Sequence, residues 1–535
     1  MKTIAIIFFL ITSNILTAQV TQEWVATYNG TGTGGNYPVK NAIDKLGNLI
    51  VAGRTSSQST DYLVLKYNTS GNLLWSRSYD GIDNNTDRLS DMILDDSGNV
   101  YVTGSSKEGA ANGYYNWLTI KYSPDGELRW KKSLDWTMHK EDIAYSITLD
   151  KDRNVFVAGY GWALPEGYQN FDIVVVKYDN NGQQLWARSF DSPPNHSDWG
   201  YSVVTDDSGY AYVSGYTYPE KIALIKYDRD GNEKWVREYP RMSGEYAIPL
   251  FSKIDKQNNI IINGYYQVSG QSNFVTLKYN RNGNLMWGRV FDSFEGDQDV
   301  CNSIYVDDSL NIYIAGRTQT WRTLHDILLI KYTPDGDTAW IRIYDDGISE
   351  HDEAKSITID YLMNVYLTGE TYFNHDNIIT LKYNSTGNLL WVKKYITSGS
   401  SSSSTIHLDL NNNIFICGGN VISATNTELI SIKYSQLTNI NSDSIVNSNN
   451  NKIYNFPNPF NPKTVINYIL CNSGMVEIII FSIEGKELKK LIQLNHLSGN
   501  YQIEFDGQNL PSGFYFCSLF VNGNLMESIK MQLIK

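Results

Sequence analysis

Short apolar runs, separated by clusters of Gly, Asn, Asp, Ser and Pro, recur along most of the chain. Many are apolar at consecutive positions, as in Ile173-Val174-Val175-Val176, the pattern of a strand covered on both faces. The runs follow a repeat. Lys-Tyr recurs at Lys66, Lys121, Lys177, Lys226, Lys278, Lys331, Lys382 and Lys433, at intervals of about 50 residues. In the first seven copies a Gly stands five residues after the Lys, as at Gly71 and Gly231, and a Trp nine after it, as at Trp75 and Trp186. Each copy is preceded by an Asp with a Gly nine residues later, from Asp44 and Gly53 to Asp409 and Gly418. An Asn usually stands four after that Asp; Tyr210 is the departure.

Each unit therefore reads as four strands. The first ends at the Asp, the second at the Gly and the third at Lys-Tyr, and the fourth carries the Trp. Turns such as Pro124-Asp125-Gly126 divide the third from the fourth, with Gly supplying positive φ. A four-stranded repeat of this length, apolar on both faces, predicts an all-β fold: a β-propeller whose blades stack around an axis. The last unit lacks its fourth strand, and the chain opens with Glu23-Trp24-Val25-Ala26-Thr27-Tyr28, a fourth strand without the other three. The N-terminal strand is thus expected to complete the last of about eight blades and leave no open edge.

Composition agrees with this picture and narrows the function. The 535 residues are 41% hydrophobic and 19% charged, with 13 Trp and 38 Tyr, a globular, β-favouring mixture. The net charge of −13 argues against a nucleic-acid partner. Residues 1–18 read as a signal peptide, with Lys2, an apolar stretch and a small-residue site at Ala18. No later stretch is long enough for a membrane span, and a soluble monomer is expected. Cys301, Cys417, Cys471 and Cys517 show no metal-binding spacing; Cys471 and Cys517 share one domain and are either a disulfide or two buried thiols. The polar stretch 437–453 reads as a linker, and residues 454–535, with short strands and Gly turns, as a small β-sandwich.

Candidate chemistry falls on the loops between blades and between second and third strands, which are longer and more variable than the other turns. Their aromatic residues, Tyr114, Tyr115, Trp136, Trp162, Tyr168, Trp199 and Trp321, are candidate ligand contacts; the alternative is loop-on-loop packing. Asp142, Asp198, Asp299 and Asp352, with Asp87 in the same place, stand just before first strands. A ring of carboxylates there could hold Ca²⁺, or could bond backbone N–H groups or face water. No other cofactor is indicated. His139, His196 and His351 fall near three of these acids. The basic residue two after each Trp, such as Arg77 and Arg188, is read as packing on the aromatic surface.

The repeat resembles the SBBP-type β-propeller repeats of secreted bacterial proteins, described as seven-bladed, over about residues 20–436. Residues 454–535 resemble the type A C-terminal sorting domain of the bacterial type IX secretion system. That resemblance rests on Pro457-Asn458-Pro459-Phe460-Asn461-Pro462, Ile483-Glu484-Gly485-Lys486-Glu487, Leu510-Pro511-Ser512-Gly513-Phe514-Tyr515-Phe516 and the ending Lys530-Met531-Gln532-Leu533-Ile534-Lys535, with Cys471 where the pattern commonly has Pro. It implies recognition by the export machinery, a location outside the cell or on its surface, and a source among the Bacteroidetes–Ignavibacteria. The expected function is a secreted binding or scaffold module for a glycan or protein. The alternative is a secreted propeller enzyme, glycosidase-like or quinoprotein-like, although no nucleophile motif, metal-binding helix or adjacent cysteine pair is present.

Overall fold

The computed structural model describes the chain from residue 20 onward, except residues 31–33, 57–58, 82–84, 108–112, 137–139, 164–169, 194–195, 240–245, 269–270, 294–297, 320–323, 348–350, 374, 424–425, 437–451, 457, 459, 471–472, 484 and 497–498. The signal-peptide segment, most of the linker, Tyr168, Trp321, His139 and Cys471 therefore lie outside the described residues. Among the described residues no helix is long and apolar enough to cross a membrane.

Eight four-stranded antiparallel sheets follow one another. Blades 1 to 7 span residues 36–79, 88–134, 143–190, 199–239, 246–291, 300–344 and 352–395. Blade 8 takes three strands from residues 401–436 and its outer strand from Val20–Tyr28, which pairs antiparallel with Asn426–Gln436. First strands of successive blades pack on one another around the whole ring, blade 8 against blade 1 included. The core lies between blades. Phe156, Ile173 and Trp186 of blade 3 meet Val203, Val213 and Ile225 of blade 4 in one cluster. Leu49 and Leu63 of blade 1 meet Phe415 and Leu429 of blade 8 in another. Each fully buried aliphatic side chain contributes roughly 1.5–3 kcal/mol, so this continuous stacking holds the ring.

The repeated residues turn out to be one clamp. Trp75 Nε1 and Lys66 Nζ both donate to the carbonyl of Pro124 in the next blade's turn, each at 3.0 Å. Arg77 Nε donates to the carbonyl of Gly126 at 2.6 Å. Gly126 has φ +79°, and a Cβ there would lie 2.7 Å from the Trp75 ring, so both backbone and space require glycine. At closure the N-terminal strand does the same: Trp24 Nε1 donates to Thr69 O of blade 1 at 3.1 Å, beside Lys433 Nζ. Trp391 is the exception. Its indole N–H is buried without an acceptor, because blade 8 has no turn between third and outer strands.

The other half of the repeat folds its own blade. Asp44 accepts from the N–H groups of Leu46 and Asn48 and from Asn48 Nδ2, all at 2.9 Å, and forms an ion pair with Lys66 at 2.9 Å. In blade 5 the matching pair, Lys278 and Asp255, is almost fully buried at 3.1 Å. The arginine two residues after the Trp in five blades, Arg77, Arg188, Arg237, Arg289 and Arg342, is thus spent on the neighbouring turn and the indole face.

Residues 452–533 form a separate compact unit. Strands Lys452–Phe456, Lys463–Leu470 and Gly499–Asp506 make one sheet, and Glu487–His496, Gly474–Ser482, Gly513–Val521 and Asn524–Leu533 the other. Their shared core includes Phe460, Ile466, Ile478, Phe505 and Leu519. Cys301, Cys417 and Cys517 are buried free thiols.

Candidate functional site

With the signature residues committed to the clamp, the side chains left for chemistry are on the variable loops and in the central channel. A groove on the turn side, lined by Asp44, Lys66, Trp75, Arg77 and Pro124, is made of clamp residues.

The described loop aromatics gather on blades 2 to 4 and their junctions. Trp162 ends the second strand of blade 3 opposite Phe171, and their rings meet edge-on at 5.2 Å. Trp162 is 9% exposed, so it is packing rather than contact surface. Trp136 is half-buried and covers Gly161. Tyr114, Tyr115 and Trp199 are half-buried and keep solvent-facing surface. Trp199 continues the aromatic row through Phe171 at 6.1 Å and Tyr216 at 5.1 Å, and Tyr145 stacks on Tyr201 at 5.4 Å. Cations sit over these rings. Arg88 and Lys107 lie 4.9 and 4.8 Å from the Tyr115 centroid, and Lys140 lies 5.4 Å from Tyr114 and 5.2 Å from Trp162. The sequence reading missed these three cations, which carry no repeat signature. In a chain of net charge −13, this is a local concentration of positive charge on an aromatic floor.

The acidic candidates do not form one ring. Each caps its own inter-blade loop. Asp142 accepts from Trp136 N at 2.7 Å and Trp162 N at 2.9 Å. Asp198 accepts from Ser192 N at 2.5 Å, Asp299 from Ser293 N at 2.7 Å, and Asp352 from Asp346 N at 2.7 Å. All four carboxylates accept backbone N–H groups. Burial pushes the carboxyls of Asp142 and Asp198 up to about 7 and about 6, against these hydrogen bonds. Other acids join them at the junctions: Asp61, Asp80 and Asp87 between blades 1 and 2, and Asp326, Asp345 and Asp352 between blades 6 and 7, each trio with oxygens within 4.8 Å of one another. Of the four sequence candidates, Asp352 alone is in such a trio. The histidines take separate partners: His196 lies on Tyr218 at 3.8 Å, and His351 Nδ1 is 2.6 Å from His325 Nδ1.

A further polar group surrounds Glu353. It accepts from Asn302 at 2.6 Å and pairs with Lys355 at 2.8 Å and Arg317 at 3.3 Å. Glu370 stands opposite Glu353 across the first two strands of blade 7.

First strands bring Lys40, Asp91, Lys253 and His407 together from blades 1, 2, 5 and 8. Lys40 pairs with Asp91 at 2.5 Å, and His407 Nδ1 is 2.6 Å from Asn41 Oδ1. Lys253 is open to solvent yet hemmed in by protein; this confinement lowers its ammonium pKa, with Lys40 adding repulsion and Asp91 opposing. Burial, then Lys40 and Lys253, push His407 down to about 4. Its folded pKa lies below the unfolded value of about 6.5, so the unfolded chain binds the extra proton as pH falls through that interval. Stability from this group is full above about pH 6.5 and is lost toward pH 4. We expect His407→Asn to reduce the loss of melting temperature between pH 7 and pH 4.5 by the equivalent of roughly 1–3 kcal/mol. Melting curves of both proteins at the two pH values check this; equal losses would remove His407 from the account.

Comparison with known proteins places both units. The secretion system C-terminal sorting domain matches residues 452–534. The C-terminal unit is a type IX secretion sorting domain. The chain carrying it is secreted or held at the cell surface, and the sorting domain implies interaction with the secretion machinery. The SBBP beta-propeller repeat matches residues 293–320, the loop and first two strands of blade 6. An uncharacterized WD repeat-containing protein of Acanthamoeba polyphaga mimivirus is 22% identical over 457 residues, covering 68% of this chain and 31% of that protein. The chain thus matches under a third of that relative's length. Among solved structures, quinohemoprotein alcohol dehydrogenase ADHIIG of Pseudomonas putida HK5 has TM-score 0.45 and 10% identity over 78% of this chain and 76% of its own. Sqt1 of Chaetomium thermophilum has TM-score 0.46 and 9% identity over 77% and 99%.

Proposed function

We propose that the propeller is a binding module for an extracellular ligand, a glycan or a protein, taken up on the loop face over blades 2 to 4. The observation that carries this reading is the half-exposed floor of Tyr114, Tyr115 and Trp199 with Arg88, Lys107 and Lys140 around its rings. Rings stack on the apolar faces of sugars, and cations pair with carboxylate or sulfate groups. An acidic saccharide fits both features. Export by the sorting domain delivers the face to such ligands.

The test is an array of acidic and neutral polysaccharides and peptidoglycan probed with the full chain. A hit is expected to weaken with salt. It is expected to weaken about tenfold or more in Tyr115→Ala and Trp199→Ala, the loss of one stacking side chain being worth upward of about 1.4 kcal/mol. Binding of equal strength in both variants would contradict the site. Trp162→Ala is no test, because that indole is buried.

A second reading, a glycan-cleaving enzyme, is favoured by Glu353 and Glu370, two carboxylates side by side on blade 7. Release of reducing ends from a bound polysaccharide, abolished by Glu353→Gln, would support it. No release would leave binding as the activity.

A further inference from the structure

Every first strand skips one residue in its pairing with the second strand, from Val39 in blade 1 to Ser404 in blade 8. The second residue after the skip is buried in all eight blades, as Asn41, Ile147 and Ile406 are. The first residue after it has a repeated task. Ser146, Ser202, Ser303, Ser356 and Thr405 each accept, through the hydroxyl, the N–H at that buried position of the next blade. Asp91 does the same with Oδ2, from Ile147 N at 3.0 Å. These bonds lace neighbouring first strands together. Blades 1 and 5 break the pattern, with Lys40 and Phe251 in this place. Two residues on, along the same side of the strand, blade 5 has Lys253 and blade 8 has His407, where blades 2 and 3 have Ile93 and Thr148.

Blades 1 and 5 stand opposite one another in a ring of eight. The Lys253 ammonium nevertheless feels the charges of Lys40 on blade 1 and Asp91 on blade 2. His407 feels both lysines. These side chains therefore meet at the axis. Their charges do not balance. Asp91 Oδ1 accepts from Lys40 Nζ at 2.5 Å and from Met92 N at 2.8 Å, and its Oδ2 is taken by Ile147 N. Among the described residues Lys253 Nζ has no hydrogen bond and no ion pair. Two lysines against one spent carboxylate leave a positive surplus, in a chain of net charge −13. Like charges held together in this way call for a counter-charge.

We propose that the centre of the ring binds an oxyanion, a carboxylate or sulfate group, on Lys253 Nζ beside Lys40 and His407. An ammonium brings three donors and takes such a group as a point charge. His407 supplies a further donor. Asn41 Nδ2 is turned to the carbonyls of Thr405 and Phe415, each at 3.5 Å, so Asn41 Oδ1 faces His407 Nδ1 at 2.6 Å. An amide oxygen only accepts, so Nδ1 carries the proton and Nε2 of the neutral ring has none. Lys40 and Lys253 keep the empty site's imidazole neutral. An anion between them favours the imidazolium, whose Nε2–H then donates to it. Binding is thereby coupled to uptake of a proton by His407. The site does not rest on the loop-face reading, and its oxyanion is either free or the acidic end of a saccharide.

The experiment titrates the full chain with sodium sulfate and with sodium glucuronate, at constant ionic strength, in buffers of different ionisation enthalpy. Calorimetry is expected to show one equivalent, bound about tenfold or more weakly in Lys253→Met. Proton uptake is expected to be larger at pH 5.5 than at pH 7.5 and to disappear in His407→Asn. Tighter binding of glucuronate makes a saccharide end the source, and tighter binding of sulfate a free anion; either supports the site. Without anion, Lys253→Met should melt no lower than the wild type, because it removes a repelled charge. Tyr115→Ala and Trp199→Ala should leave sulfate affinity unchanged, which separates this site from the loop face. No binding at about 50 mM, binding undiminished in Lys253→Met, or binding without proton uptake would overturn the proposal.

Discussion

Deleting Val20–Tyr28 from the full chain, with residues 1–19 retained, is expected to abolish cooperative folding of the propeller. The strand pairs along its length with Asn426–Gln436, from Val20 opposite Gln436 to Tyr28 opposite Leu429. It also brings the indole that locks blade 8 to the turn of blade 1, with the Trp24 ring against Gly71 and its N–H on Thr69 O. Losing several ladder hydrogen bonds at about 1 kcal/mol each and a clamping Trp at about 3–5 kcal/mol removes on the order of 5–10 kcal/mol. That is comparable to the whole stability of a typical domain. It also bares the edge of the third strand of blade 8, an aggregation template. Size-exclusion chromatography and a melting curve check this. A monomer with a wild-type transition would mean that the ring does not depend on this strand.

Trp186→Ala is expected to cost about 3–5 kcal/mol. The side chain is 7% exposed. It packs against Phe156 at 5.8 Å and Tyr227 at 6.0 Å, donates to Arg229 O at 2.9 Å, and floors Gly231. Its removal also loosens Arg188, whose guanidinium lies 5.9 Å over the indole while Nε holds Gly231 O at 2.7 Å. The cavity would lie between blades 3 and 4, where both contribute to one core. A fall in melting temperature of about 3–6 °C follows for a ring of this size. A fall under 2 °C would show that the clamp is not what joins the blades.

The ring was legible because its signals repeat. Eight Asp–Gly pairs and eight Lys-Tyr pairs count the blades, and the missing last Trp reappears at Trp24. The basic residue two after the Trp was also legible, since a residue repeated in seven blades points to a structural role. The loop side chains were not. Trp162 looks like a contact residue in a polar loop, and its burial follows from Phe171 standing opposite it in the next strand. Asp142, Asp198 and Asp299 look like a ring because they start first strands, but each turns to the N–H groups of its own loop. The acid trios join residues of two blades across a junction, and their signal was present in the spacing of 19 and seven residues, common to both. The channel group was invisible, because Lys40 and Lys253 are 213 positions apart and share no motif.

The central claim is a division of labour: repeated residues hold the ring, and unrepeated loop residues on blades 2 to 4 bind. The most direct test measures melting temperature and ligand affinity together on the full chain, for Trp186→Ala and for the Tyr115→Ala, Trp199→Ala double variant. The account predicts that Trp186→Ala melts about 3–6 °C lower yet binds normally below its transition. The double variant should melt within about 2 °C of the wild type and lose binding about tenfold or more. A double variant that binds like the wild type, or that unfolds as readily as Trp186→Ala, would contradict it.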